Sequence, residues 1–410
     1  MVQTNPNRTG HQALVGAAVP RPPRVAPQPP PESASHSSRH LYEQDSRAVK
    51  IDLTVAGYRD EAGVEPTPRA VQLAEARLLE RSRAGSSTRQ DEGALIECLK
   101  PLIFGTSRLP PLVGLRTHGA TGALRLAAEW IAATRPRCRV WIGSPHWPWG
   151  ATVLRDTELQ VDSYSYFDTV HQTLCFDTVL HAFNAASPGD VVLLQGHCHN
   201  PTGASFSPAQ WRCLAEVVTR RALLPLIVMD SHGLGEGLEA DAIGVRLMLE
   251  AAGEGLLAYS CSKNFGLHCQ RTGALFVLAD HPVAKRSQLN PLTRSAEAGP
   301  PDHGAAIVSS ILQSPDTTAL WQDGLRAMRH RIEDVRLQLA LGTSQLAPLR
   351  HHHGLFSLLP LCPAQIHAMR AEHAVHIADS GRINVAALNT ATVPHFLSAF
   401  TAVRTCADLR

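Results

Sequence analysis

Lysine is nearly absent from this chain. Of its 38 basic residues only four are lysines, Lys50, Lys100, Lys263 and Lys285; the rest are arginines. A chain that meets its need for positive charge with arginine keeps a lysine where an amine is wanted. Amines form Schiff bases with carbonyls and guanidiniums do not. Long apolar runs are missing too, so no membrane-spanning helix is expected. The formal net charge is only +2, which provides no basic field for nucleic acid. The nine cysteines are scattered, odd in number and without a CxxC pair. That pattern speaks for reduced thiols in a cytoplasmic protein and against a disulfide framework. His197-x-His199 and His351-His352-His353 lack a cysteine or carboxylate at zinc spacing, so no metal site is expected. The apolar stretch 13–20 is short and leads into proline-rich sequence, unlike a signal peptide. No internal repeat is visible.

What remains reads as a large soluble enzyme. Residues 1–45 are rich in Pro, Ser, Arg and Gln and read as a disordered tail. Residues 66–100 show helical periodicity with a polar break at Gly85-Ser86-Ser87. From about 118, helices alternate with short apolar strands at 139–142, 191–194, 226–229, 255–259 and 273–278. That alternation predicts an α/β layer with a mostly parallel sheet. After Pro300-Pro301 the texture is α+β. The division expected is 1–45 tail, 46–100 first part of a small domain, 101–302 large domain, and 303–410 remainder of the small domain.

In a parallel α/β layer, ligands bind at the carboxyl ends of the strands. Asp230 follows one strand, Ser260, Ser262 and Lys263 another, and His199-Asn200-Pro201-Thr202-Gly203 a third. Gly119-Ala120-Thr121-Gly122 opens a helix, where free N–H groups favour a phosphate. A phosphate cup, an amine, a carboxylate and a side-chain amide are together what pyridoxal 5'-phosphate needs.

Several motifs then fall in one order. They are Gly57-Tyr58-Arg59-Asp60-Glu61-Ala62-Gly63, Thr121-Gly122-Ala123-Leu124-Arg125, Pro145-His146-Trp147-Pro148, His199–Gly203, Ser262-Lys263-Asn264-Phe265-Gly266-Leu267 and Ser380-Gly381-Arg382-Ile383-Asn384-Val385-Ala386. Over roughly residues 48–410 the chain resembles the class I, aspartate and aromatic, aminotransferase branch of the fold-type I pyridoxal-phosphate enzymes. The resemblance implies a homodimer with shared active sites, acting on an amino acid and a keto acid. It implies that Lys263 forms the Schiff base and moves the Cα proton, while Asp230 pairs with the pyridine nitrogen. Asn200 would donate to the ring oxygen and Trp147 stack on the ring. Gly119, Ala120, Thr121, Ser260, Ser262 and Arg271 would hold the phosphate. Arg382 would take the substrate α-carboxylate, and Arg294, lent to the neighbouring subunit, the distal one.

The chain departs from that family on the substrate side. Gly233 stands where the family has a tyrosine donating to the ring oxygen, which implies open space beside the cofactor. His232 is the candidate replacement donor. Ile103 stands where a partner-supplied tyrosine is expected, and the segment from Ile103 to Thr121 is short. Ala56 replaces a glycine lying over the substrate, and Glu297 follows Arg294 closely. An aminotransferase is therefore the first reading. The second is a Cγ elimination, replacement or carbon–carbon bond formation on an amino acid such as S-adenosylmethionine, through the same Cα carbanion. The third is a pyridoxal-phosphate-binding protein without turnover.

Overall fold

A computed structural model describes residues 39–83, 93–107, 109–278 and 302–405, and between 279 and 301 only 281, 284, 286–289, 291 and 292. The tail reading falls mostly on 1–38, outside the described residues. Its last part is corrected: residues 39–44 form a helical turn, and the segment is clasped to the body. Asp45 meets the buried His376 at 2.9 Å and Arg47 alongside it, while Lys50 Nζ donates to the carbonyl oxygens of Tyr42 and Asp45 at 2.8 and 2.7 Å. Arg47 and His376 hold the Asp45 carboxyl well below the usual carboxylate range.

The centre is a seven-stranded sheet: β1 (Leu112–His118), β2 (Arg139–Ser144), β3 (Gln160–Ser165), β4 (Val191–Gln195), β5 (Leu224–Met229), β6 (Gly255–Ser260) and β7 (Thr272–Leu278). Their order in space is β1-β7-β6-β5-β4-β2-β3. β7 runs antiparallel to both neighbours, and β6, β5, β4, β2 and β3 are parallel. β5, β6 and β7 are buried at every position. That explains their unbroken apolar runs, since helices cover both faces of a parallel sheet. On one face lies the helix Gly119–Thr134, whose Ala123, Leu124, Ala127, Trp130 and Ile131 fall at helical spacing and are almost wholly buried. Each large apolar side chain so buried contributes about 1.5–3 kcal/mol.

The other face carries the helices Arg69–Arg83 and Ala94–Phe104, which the sequence division assigned largely to the small domain. Their Ala70, Val71, Ala74, Leu95, Ile96 and Leu99 belong to the same core cluster as Leu257, Ala274 and Phe276 of the sheet. Ile103 is fully buried there as well. The small lobe has its own core of Leu53, Leu339, Leu349, Met369, Ile383, Phe396 and Phe400. Two short strand pairs build it, Phe356–Leu358 antiparallel to Arg382–Asn384 and Ile51–Asp52 parallel to Val375–His376. The helix Pro315–Gly342 crosses from one core to the other. Trp321, Leu325 and Ile332 pack with the sheet, Val335 and Leu339 with the small lobe.

Burial sets the acid sensitivity of this fold. His199 and His352 are pushed down to about 3 and His353 to about 4, each first by burial. These folded values lie below the ordinary one near 6.5. As pH falls from about 6.5 toward 4, the unfolded chain gains protons that the folded chain does not bind, so stability falls with pH in that window. Each histidine contributes a slope on the order of 1 kcal/mol per pH unit. Thermal unfolding at pH 7, 6 and 5 should show a steepening loss, shallower in His352→Phe; a melting temperature indifferent to pH over this range rules the account out.

Candidate active site

The functional side chains gather at the carboxyl ends of the strands. Asp230 follows β5 and Lys263 lies three residues beyond β6. Because these strands are neighbours, Lys263 Nζ reaches Asp230 Oδ2 at 2.6 Å, both side chains largely shielded. Ser231 Oγ donates to Asp230 Oδ1 at 2.9 Å and lies 3.4 Å from the amine. The turn bearing the lysine is rigidly supported. Asn264 Nδ2 donates to the buried Tyr259 hydroxyl at 2.9 Å, Trp321 Nε1 donates to the Asn264 carbonyl at 2.7 Å, and Phe265 stacks on Trp321.

The anion cup forms where β1 turns into the helix Gly119–Thr134. Gly119 has φ +66°, and a Cβ there would lie 3.8 Å from each of Ser260 Oγ, Ser262 Oγ and the Arg271 backbone. The same helix start has no side-chain cap, which leaves the first N–H groups of the helix without a side-chain acceptor. Ser260 Oγ is oriented by the Ser262 N–H at 3.2 Å. At Gly273 the approach is closer still: an added Cβ would stand 2.6 Å from Gly119 Cα, which fixes the two turns against each other. The Arg271 side chain is exposed at the rim.

Asn200 sits in the loop after β4. Gln195 clamps its backbone from both sides, accepting from the Asn200 N–H at 2.8 Å and donating to its carbonyl at 2.9 Å. The Asn200 side chain is buried, and its Oδ1 has no hydrogen-bond partner among the described residues. An unpaired Oδ1 is an acceptor; the group that could donate to a ring oxygen is the Nδ2 of the same amide. Trp147 caps the helix Pro148–Arg155, half-buried at one wall of a small cavity that it shares with His146, Tyr166, Gln195 and His199. Burial keeps His146 low, and His199 accordingly neutral, stacked on Tyr166 with ring centroids 4.0 Å apart.

Arg382 opens the strand Arg382–Asn384 on the small lobe. Its guanidinium makes no ion pair or side-chain hydrogen bond among the described residues; burial lowers it to about 10, so it stays charged at neutral pH. Its Cζ lies 4.8 Å from the centroid of the Phe356 ring, and Lys263 Nζ lies 4.9 Å from the same centroid. Phe356 was not among the residues singled out from sequence. Nothing in its Leu355-Phe356-Ser357 context separates it from an ordinary strand residue.

The substrate side departs from expectation at His232 and is mixed at Gly233. A Cβ at Gly233 would strike Leu325 at 2.4 Å and Leu238 at 2.9 Å, and its φ of +90° favours glycine in any case, yet Gly233 also lines a cavity of about 610 Å³ together with Leu102, Leu238 and Leu325. Gly233→Ala is expected to destabilise by at least about 2 kcal/mol through overpacking and strain. Urea unfolding measures this, and a change under 0.5 kcal/mol refutes it. His232 does not replace a ring-oxygen donor. Its Nδ1 pairs with the Tyr259 hydroxyl at 3.1 Å and its Nε2 with the Leu238 carbonyl at 2.7 Å. Ile103, at the position where a partner-supplied tyrosine was expected, is fully buried in this chain's core. Ala56 is exposed in a loop that Asn384 pins through the carbonyls of Val55 and Gly57 at 3.0 and 2.7 Å. Arg294 and Glu297 lie outside the described residues.

His197, Cys198 and Asp241 bring ligand-type atoms within 4.8 Å of one another. The Asp241 carboxylate is already engaged by the N–H groups of Gly233, Gly235 and Glu236 at 2.7–3.0 Å. Its work is to close the turn after Asp230.

The family model for class I and II aminotransferases matches residues 48–400. The chain belongs to the class I and II aminotransferases. It is 40% identical over 373 residues to a tyrosine aminotransferase of Rhizobium meliloti, covering 88% of this chain and 95% of that one. An aromatic-amino-acid aminotransferase of Pseudomonas aeruginosa is 40% identical over 382 residues, covering 90% and 95%. Among solved structures, an aromatic-amino-acid aminotransferase of Burkholderia pseudomallei, covalently bound to pyridoxal phosphate, superposes with a TM-score of 0.85 at 31% identity, covering 96% of this chain and all of that one. This aminotransferase is a pyridoxal-phosphate enzyme of fold type I. The residues present fit the cofactor: a hydroxyl-lined cup on a helix N-terminus, an amine beside a carboxylate, and a buried asparagine whose Nδ2 can donate to a ring oxygen. No helix among the described residues is long and apolar enough to cross a membrane.

Proposed function

We propose that this aminotransferase moves the amino group of an aromatic L-amino acid to a 2-keto acid, with Lys263 as the proton carrier and Arg382 as the carboxylate receptor. The observation that carries the assignment of roles is the shared ring of Phe356, which brings the Lys263 amine and the Arg382 guanidinium to one place. Bound pyridoxal phosphate supplies the aldehyde that takes up the amine and the electron sink for the Cα electrons. Ser260, Ser262 and the N–H groups of Gly119, Ala120 and Thr121 would hold its phosphate, with Arg271 at the rim. Asp230 would pair with the pyridine nitrogen, the Asn200 Nδ2 would donate to the ring oxygen, and Trp147 would cover the ring. Arg382 takes the α-carboxylate through a two-pronged hydrogen bond and so fixes the orientation of Cα. Lys263 Nζ, largely shielded and within 5 Å of the Phe356 ring, then accepts the Cα proton and returns one on the far side of the transfer.

The aromatic donor is supported by the names of the similar proteins and by the walls of Trp147, Tyr166 and Phe356. The reading as a non-transaminating enzyme rested on open space at Gly233 and on Glu297 near the far end of the substrate; the aminotransferase reading is preferred because the similar proteins are named tyrosine, aromatic-amino-acid and aspartate aminotransferases. A homodimer with Arg294 lent to the neighbouring site, and a cytoplasmic location, belong to this same proposal. The test is transfer of a nitrogen-15 label from L-phenylalanine or L-aspartate to 2-oxoglutarate. Labelled glutamate at a higher kcat/KM with phenylalanine supports the proposal. Label released as ammonia, or a clear preference for aspartate, overturns it.

A further inference from the structure

We infer that Phe356 is a positioning residue that holds the Arg382 guanidinium by cation–π attraction while leaving its N–H groups free for a carboxylate. The inference rests on the assignment of Arg382 as carboxylate receptor. A guanidinium removed from water needs compensation. A protein carboxylate would supply it, but would compete with the substrate for the same N–H groups. An aromatic ring compensates the charge through its quadrupole and accepts no strong in-plane hydrogen bond. The structure has the second arrangement. Arg382 Cζ lies 4.8 Å from the Phe356 centroid, and no carboxylate among the described residues pairs with it.

The ring is itself held from behind. Phe356 pairs with Asn384 across the short ladder. Arg336, buried in the long helix, donates Nη2 to the carbonyls of Gly354 at 2.8 Å and Phe356 at 2.7 Å, and Nη1 to Ser357 Oγ at 2.7 Å. A Cβ at Gly203 would meet the Phe356 carbonyl at 2.6 Å, so the Asn200 loop presses on the same segment. The ring cannot drift without disturbing all three. Its second contact, with Lys263 Nζ at 4.9 Å, makes one aromatic ring common to the proton carrier and the carboxylate receptor.

The experiment uses the holoenzyme with mono-, di- and trifluorophenylalanine placed at position 356, which drains the ring quadrupole while preserving its shape. The probe is 3-phenylpropionic acid, a carboxylate with no amine to react, titrated against cofactor absorbance. Its Kd should rise stepwise along the series, reaching about tenfold for the trifluoro ring. KM for L-phenylalanine should rise in parallel and kcat less. Phe356→Leu should match the trifluoro variant, and the fluorinated proteins keep the inference testable should that variant misfold. Arg382→Ala is the control. If it weakens the probe at least tenfold while the fluorinated series stays within twofold, the inference is wrong and the carboxylate assignment stands. If Arg382→Ala leaves the probe unaffected, the carboxylate assignment fails and this inference with it.

Discussion

Replacing Lys263 by alanine should reduce amino transfer by at least about 10⁴-fold, the upper range for loss of a general acid–base group. Among the described residues no second amine is available. Lys50 Nζ is bound to the carbonyls of Tyr42 and Asp45, and Lys100 Nζ sits 2.6 Å from Glu97 on the surface of its helix. Folding should survive, because Lys263 is anchored by neighbours rather than serving as an anchor. The turn is held by Asn264 on Tyr259 and by Trp321 on the Asn264 carbonyl. Single-turnover rates with L-phenylalanine measure the loss. Added methylamine should restore part of the rate in Lys263→Ala and none in wild type, since a small base in the vacated space can carry the same proton. A residual rate within tenfold of wild type would remove Lys263 from the proton transfer.

Arg382→Lys should lower kcat/KM by about 10²–10³-fold, although it keeps the charge. A planar fork meets both carboxylate oxygens, whereas an ammonium meets one at a time and is more strongly hydrated. The burden should fall mainly on KM, since substrate and transition state use the carboxylate alike. The experiment is a comparison of steady-state constants for the amino acid and for the keto acid. Both carry the carboxylate, so both should weaken together. An effect on one substrate only would assign Arg382 to something other than the group they share.

How far the sequence reaches can be judged from particular elements. The five strands visible from their apolar runs lie in the sheet, at the expected places within two residues. β1 and β3 escaped notice for different reasons. β1 carries Gly114, Arg116, Thr117 and His118, and its glycine is there because Ile96 crosses within 2.3 Å of where a Cβ would be. β3 is an edge strand, Gln160-Val161-Asp162-Ser163-Tyr164-Ser165, with mostly polar side chains that face water on one side. The cofactor side was legible because chemistry demands particular residue types at strand ends. The substrate side was not, because the effect of a glycine depends on what fills its shadow. At Gly233 that is Leu325, ninety-two positions away in sequence. Phe356 was invisible for a related reason: a phenylalanine in a short strand looks like core until the cations around it are placed.

The clasp around Asp45 bears on how far a trimmed chain can be shortened. The family match starts at residue 48, so a chain trimmed to that point would look complete by comparison with its relatives. It would lose Asp45, the acceptor that faces the His376 imidazole in a setting only 2% exposed to water. It would also lose the two carbonyls that hold the Lys50 amine and the Tyr42 ring over which that amine lies. The strand pair Ile51–Asp52 with Val375–His376 would then have its last support only three residues from a free end. Contacts that support the small lobe therefore lie upstream of the edge of the shared family.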